Sequence, residues 1–70
     1  MEEYIAGYLE GYRDGRAGRR APDHPNRDQY NGGYDAGHED GAFHEKPSYT
    51  REDLKRIRRA ISDRLSTFAI

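Results

Sequence analysis

The chain has 70 residues, a formal net charge of −1 and no cysteine. This length allows one domain with a modest core, and the missing thiols exclude disulfides and thiolate metal sites. No apolar run approaches a membrane span and the acidic start is no signal peptide, which makes the cytoplasm the expected compartment.

The first expected element is a helix over residues 1–18. Glu2 and Glu3 suit its positive N-terminal end, and Arg16, Arg19 and Arg20 suit its C-terminal end. Gly18 is a natural terminator. Within it Gly7, Gly11 and Gly15 recur every four residues, beside Tyr4, Tyr8 and Tyr12. A four-residue step is about one helical turn, so the glycines fall in an arc of about 80° bordered by a ridge of tyrosines. Residues 19–26 form a linker, where Pro22 and Pro25 deny the helix continuation and favour an extended path.

Asn26 or Asp28 is placed to cap a second helix, expected over residues 27–44. It repeats the first. The string from Tyr30 to Gly41 overlays that from Tyr4 to Gly15 at an offset of 26, so Gly33, Gly37 and Gly41 fall on Gly7, Gly11 and Gly15. His38 stands where Tyr12 stands, and Phe43 is expected to anchor the helix end. Pro47 breaks the chain in a second linker, residues 45–49. Thr50 with Asp53 resembles a capping box that opens a third helix, residues 50–67. Leu54, Ile57, Ile61, Leu65 and Phe68 fall within an arc of about 80° on it, the clearest amphipathic stripe in the chain.

A glycine inside a helix costs roughly 1 kcal/mol against alanine, and short helices are marginal already. A pattern that places three on each helix needs an offset, and close backbone approach is the plainest one. The predicted fold is therefore all-α: a glycine-faced antiparallel helical hairpin plus a third amphipathic helix. Tyrosines, six in number against two phenylalanines and no tryptophan, must supply much of the packing area. The third helix packs its stripe on the hairpin or on a second copy, which makes a homodimer one expected assembly.

Charge is unevenly spread. Residues 27–47 carry two basic and five acidic side chains, whereas residues 48–70 carry six basic and three acidic. Two basic clusters stand out: Arg13, Arg16, Arg19 and Arg20, then Arg51, Lys55, Arg56, Arg58 and Arg59. The first, with Arg27, surrounds the linker and suits phosphate contact, with Tyr12 and Tyr34 as platforms for unpaired bases. The acidic run Asp35, Glu39 and Asp40 suits a protein partner instead, as does the stripe from Leu54 to Phe68.

Gly11, Tyr12, Gly15, Ala17, Gly18 and Arg19, followed after the linker by Gln29, Tyr30, Gly32, Gly33 and Tyr34, form a combined pattern that resembles the ribosome modulation factor family. The resemblance covers about Ile5 to Ala42. It implies a helix–linker–helix protein that binds ribosomal RNA of the small subunit and represses translation when growth stops. The third helix is an addition to that family's pattern.

Other chemistries find little footing. His38 and His44 are six residues apart, not four, so one helical face cannot present both to a metal, and Asp35, Glu39 and Asp40 do not match a calcium loop. No nucleophile–base pair stands out, so neither enzyme activity nor a cofactor is expected. Glu10, Arg13 and Asp14 exclude a lipid setting for the glycine motif. The expected function is thus ribosomal RNA binding and translational repression. The alternative is a small inhibitor or adaptor, for example phage-encoded, acting on a host protein through the acidic helix.

Overall fold

A computed structural model describes the backbone of residues 1–68 and the side chains through Arg64. Three helices, α1 (Glu2–Ala17), α2 (Asp28–Ala42) and α3 (Arg51–Phe68), account for the regular structure among the described residues. The all-α class holds. The relative direction of the first two helices differs from expectation.

α1 and α2 pack side by side and run parallel. Going up the chain, Gly7 lies against the Tyr30 carbonyl, Gly11 against that of Tyr34 and Gly15 against that of His38. Reciprocally, Gly33, Gly37 and Gly41 lie against the carbonyls of Tyr4, Tyr8 and Tyr12. The expected antiparallel hairpin would have reversed one of these series. A parallel pair needs a connection that returns along the whole of α1, about 24 Å at 1.5 Å per residue. Residues 18–27 span roughly 33 Å when extended, so they reach. They end where the bidentate ion pair of Arg27 with Glu3 (3.0 and 3.1 Å) closes the start of α2 onto the start of α1.

Gly7, Gly11, Gly15, Gly37 and Gly41 each sit over a backbone hydrogen bond of the other helix, and Gly33 sits over the Tyr4 carbonyl. A Cβ on Gly11 would lie 2.9 Å from the His38 nitrogen, and one on Gly37 would lie 2.9 Å from that of Tyr12. The hydrogen standing in place of Cβ points at the facing carbonyl, as in a Cα–H···O contact, which contributes about 0.5–1 kcal/mol. That is close to the roughly 1 kcal/mol each glycine costs the helix. Among the described residues the buried large apolar side chains are few: Ile5, Tyr8 and Tyr34.

The 26-residue repeat is also a repeat of bonds. Tyr8 donates its hydroxyl to Asp40 on α2, and Tyr34 donates its own to Asp14 on α1 (2.6 Å). Tyr8 accepts the N–H of Ser48 at 2.8 Å, and Tyr34 accepts that of Ala21 at 2.8 Å. Tyr12 donates to the Glu45 carbonyl at 2.6 Å, while His38 meets the Arg19 carbonyl at 2.6 Å. A carbonyl only accepts, so His38 carries its proton on Nε2. Both helices end in the same way. Gly18 at φ 71° and His44 at φ 56° take left-handed backbone, and the following N–H groups of Arg19 and Glu45 return to the Asp14 and Asp40 carbonyls. Two equal halves are thus related by a pseudo-two-fold axis along the helices.

Smaller expectations change too. Neither Asn26 nor Asp28 caps α2 with its side chain; Arg27 is the N-cap residue, and Asn26 turns the chain at φ 61°. Phe43 does not anchor α2, because it follows the last helical turn and is 71 % exposed. The capping-box reading holds in one limb: Asp53 accepts the Thr50 N–H at 2.8 Å.

α3 runs back along α1. Arg51 shares a groove with Leu9 and Arg16, and Arg58 pairs with Glu2 at 2.9 Å. Leu54, which lines a groove with Ala6 and Leu9 of α1, and Ile57 are half-buried, while Ile61 is 43 % exposed. The side chains of Leu65 and Phe68, the rest of the expected stripe, lie outside the described residues. Among the described residues no helix is long and apolar enough to cross a membrane.

Candidate nucleic-acid groove

The tyrosine step on α1 builds the site. Tyr4, Tyr8 and Tyr12 project from successive turns, and the chain after α2 folds back across them. The bond from the Ser48 N–H to the Tyr8 hydroxyl holds that return in place. It seats Tyr49 edge-on against Tyr8 (centroids 5.4 Å apart, 78°) and Tyr4 (6.0 Å, 75°). Tyr12 lies nearly parallel to Tyr8 at 6.2 Å. Tyr8 is only 1 % exposed, so it is the buried centre of the cluster, and Tyr12 and Tyr49 are its half-buried flanks.

Between those flanks lies an open groove of about 530 Å³. Leu9, Tyr12, Pro47 and Tyr49 give it an apolar and aromatic floor, and Arg13, Arg16 and Arg51 stand on its rim with Glu10 and Thr50. Arg13 pairs with Glu10 in an exposed bridge between neighbouring turns, a contact worth at most about 1 kcal/mol. Arg16 and Arg51 are exposed and, among the described residues, take part in no ion pair. A flat π face beside unpaired guanidinium groups suits a planar group that carries an anion.

The other expected RNA contacts sit elsewhere. Arg20 is bound to Asp35 and lies 5.7 Å from the Tyr34 ring centre; Arg27 is bound to Glu3 and lies 4.1 Å from that of Tyr30. Arg19 is exposed at the end of α1, where its carbonyl meets His38. Tyr34 does not serve as a stacking platform: it is 5 % exposed, and its hydroxyl is fully engaged. The structure therefore gathers Tyr12, Arg13 and Arg16 and separates them from Arg20, Arg27 and Tyr34. It adds Pro47, Tyr49 and Arg51. Of these, Arg51 already belonged to the second basic cluster. Tyr49 carried only a weak signal, an aromatic residue two places after a proline.

In the acidic run, Asp35 is held by Arg20 and Asp40 by Tyr8, leaving Glu39 exposed. Among the described residues no group of three His, Asp or Glu side chains is arranged to hold a metal ion.

Burial raises the Tyr8 and Tyr34 hydroxyl pKa values above 10.0, and the bonds to Asp40 and Asp14 push the same way. Folding thus favours the protonated phenols. That stability is complete below pH 10.0 and is lost as pH rises through the folded-state values. Urea melts at stepped pH should show a plateau at neutral and mildly basic pH, then a fall beginning near 10. A stability that stays level to pH 11 contradicts the buried-phenol arrangement.

Comparison with protein-family models, with curated proteins and with solved structures gave no match.

Proposed function

We propose that this chain binds RNA of the small ribosomal subunit through the groove on α1 and represses translation, in the manner of a ribosome modulation factor. One observation carries the reading: Arg16 and Arg51, which take part in no ion pair among the described residues, line one groove with Tyr12 and Tyr49. The sequence pattern from Ile5 to Ala42 supports it. Net charge of −1 limits non-specific attraction to RNA, so affinity has to come from this local arrangement rather than from the field of the whole molecule.

Three arginines that neutralise phosphates on single-stranded RNA give a log–log salt slope of about −2, from roughly −0.7 per phosphate. The expected result is co-sedimentation with small subunits on a sucrose gradient at low salt, lost in the Arg16→Glu/Arg51→Glu variant. Slower cell-free translation on addition of the parent protein completes the test. Protein that stays at the top of the gradient overturns the proposal. Pull-down of one host protein through Glu39 and its neighbours on α2 supports the adaptor reading instead, though Asp35 and Asp40 are already committed within the fold.

A further inference from the structure

We propose that α1 and α3 together form a channel for a single strand of RNA, with unpaired bases against the floor and phosphates on the rims. This rests on the RNA-binding reading above and narrows it to one form of ligand. A second groove, of about 310 Å³, lies between α1 and α3 and shares Leu9, Glu10 and Arg51 with the first. The two make one trough, from Arg16 near the end of α1 to Arg58 beside Glu2 at its start.

The trough changes in chemistry along its length, and Glu10, bridged to Arg13, lines both parts of it. Tyr12 and Tyr49 floor one end; Ala6, Leu9 and Leu54 line the other. Arg13 and Arg16 stand on the α1 side, and Arg51, Lys55 and Arg58 stand on the α3 side. Among the described residues Lys55 pairs with Glu52 at 3.7 Å and Arg58 with Glu2 at 2.9 Å, both in exposed pairs. Such pairs are worth about 0–1 kcal/mol, so a phosphate competes with them readily. An unpaired nucleotide offers what this trough asks for, a bare π face inward and a charge outward. A duplex hides its base faces in its own stack and presents phosphates, 2′-hydroxyls and base edges instead. The acidic side chains of α2, Asp28, Asp35 and Glu39, also disfavour the broad electrostatic contact that duplex binding requires.

The test is fluorescence anisotropy on the full chain, with a labelled single-stranded oligoribonucleotide and the same sequence annealed to its complement. The single strand is expected to bind at least about tenfold more tightly, the size of one base–aromatic stack. Tyr49→Leu should weaken it about tenfold while Tyr49→Phe retains it, since the phenyl face remains. Arg51→Glu should weaken binding and flatten the salt slope. Thermal melts and far-ultraviolet circular dichroism show whether each variant keeps the parent fold; if Tyr49→Leu does not, Arg51→Glu and the strand comparison decide. Equal affinity for duplex overturns the channel. So does a folded Tyr49→Leu variant that binds like the parent. In either case loss of binding on Arg16→Glu leaves the RNA reading standing on phosphate contacts. Competition by poly-glutamate as effective as that of unlabelled RNA also overturns the channel, in favour of an acidic peptide. Failure of both RNA forms to bind, with no ribosome co-sedimentation, removes the channel and the RNA reading together.

Discussion

Gly11→Ala and Gly37→Ala should each leave the protein largely unfolded at room temperature, although alanine is the best helix former. In an ordinary helix interior the change gains about 1 kcal/mol. Here the new methyl lands on backbone. At Gly11 it meets the Tyr34 carbonyl and lies 2.9 Å from the His38 nitrogen; at Gly37 it meets the Tyr8 carbonyl and lies 2.9 Å from the Tyr12 nitrogen. Backbone cannot turn aside as a side chain can, so the helices must separate. Separation breaks the neighbouring Cα–H···O contacts and opens the Tyr8 and Tyr34 bonds. A domain of this kind has only about 5–15 kcal/mol in hand, and a small one sits at the low end. Gly32→Ala is the control. It lies on the exposed side of α2, where a Cβ approaches only a ring carbon of Tyr4 at 3.9 Å. It should raise stability by roughly 0.5–1 kcal/mol. Thermal melts by circular dichroism would read all three. Parent-like melting of Gly11→Ala contradicts the backbone contact.

Tyr8→Phe and Tyr34→Phe should each cost about 1–3 kcal/mol, the loss of a bond to a charged carboxylate together with one to a backbone N–H. Each hydroxyl serves two groups at once: Asp40 and the Ser48 N–H for Tyr8, Asp14 and the Ala21 N–H for Tyr34. The two losses should differ in place. Tyr8→Phe frees the segment after α2, so amide exchange at Ser48 accelerates and the groove beside Tyr49 loosens. Tyr34→Phe frees the segment after α1, so exchange at Ala21 accelerates and the groove stays intact. RNA affinity should therefore fall in the first variant and hold in the second. Exchange that rises equally at both amides contradicts the separate locks.

Why the direction of the helices escaped the sequence is instructive. A glycine groove every four residues says that two helices touch, and where. Parallel and antiparallel pairs both bring groove to groove, so Gly7 to Gly15 and Gly33 to Gly41 leave the choice open. The deciding feature is the connection. Residues 18–27 are long enough for the return, and the equal spacing of the two repeats fits a two-fold pair. In this pair Tyr8 finds Asp40 and Tyr34 finds the equivalent Asp14, each one helix across.

The site divides along a similar line. Tyr12, Arg13 and Arg16 share a helical face, and helical spacing alone brings them together. Tyr34 repeats Tyr8 rather than Tyr12, and that equivalence assigns it to the core. Its burial became visible once the repeats were paired in space. Tyr49 and Arg51 join the groove through the bond from Ser48 to Tyr8, across 40 residues of sequence.

The chain's own residue order determined three helices, their approximate ends and the faces on which α1 and α2 meet, because those follow from local spacing and backbone chemistry. Tertiary structure decided the parallel course of the pair, the burial of Tyr34 and the assembly of the groove. Each of these depends on where a linker returns, and a linker's path is set by the hydrogen bonds it finds after the helices have packed.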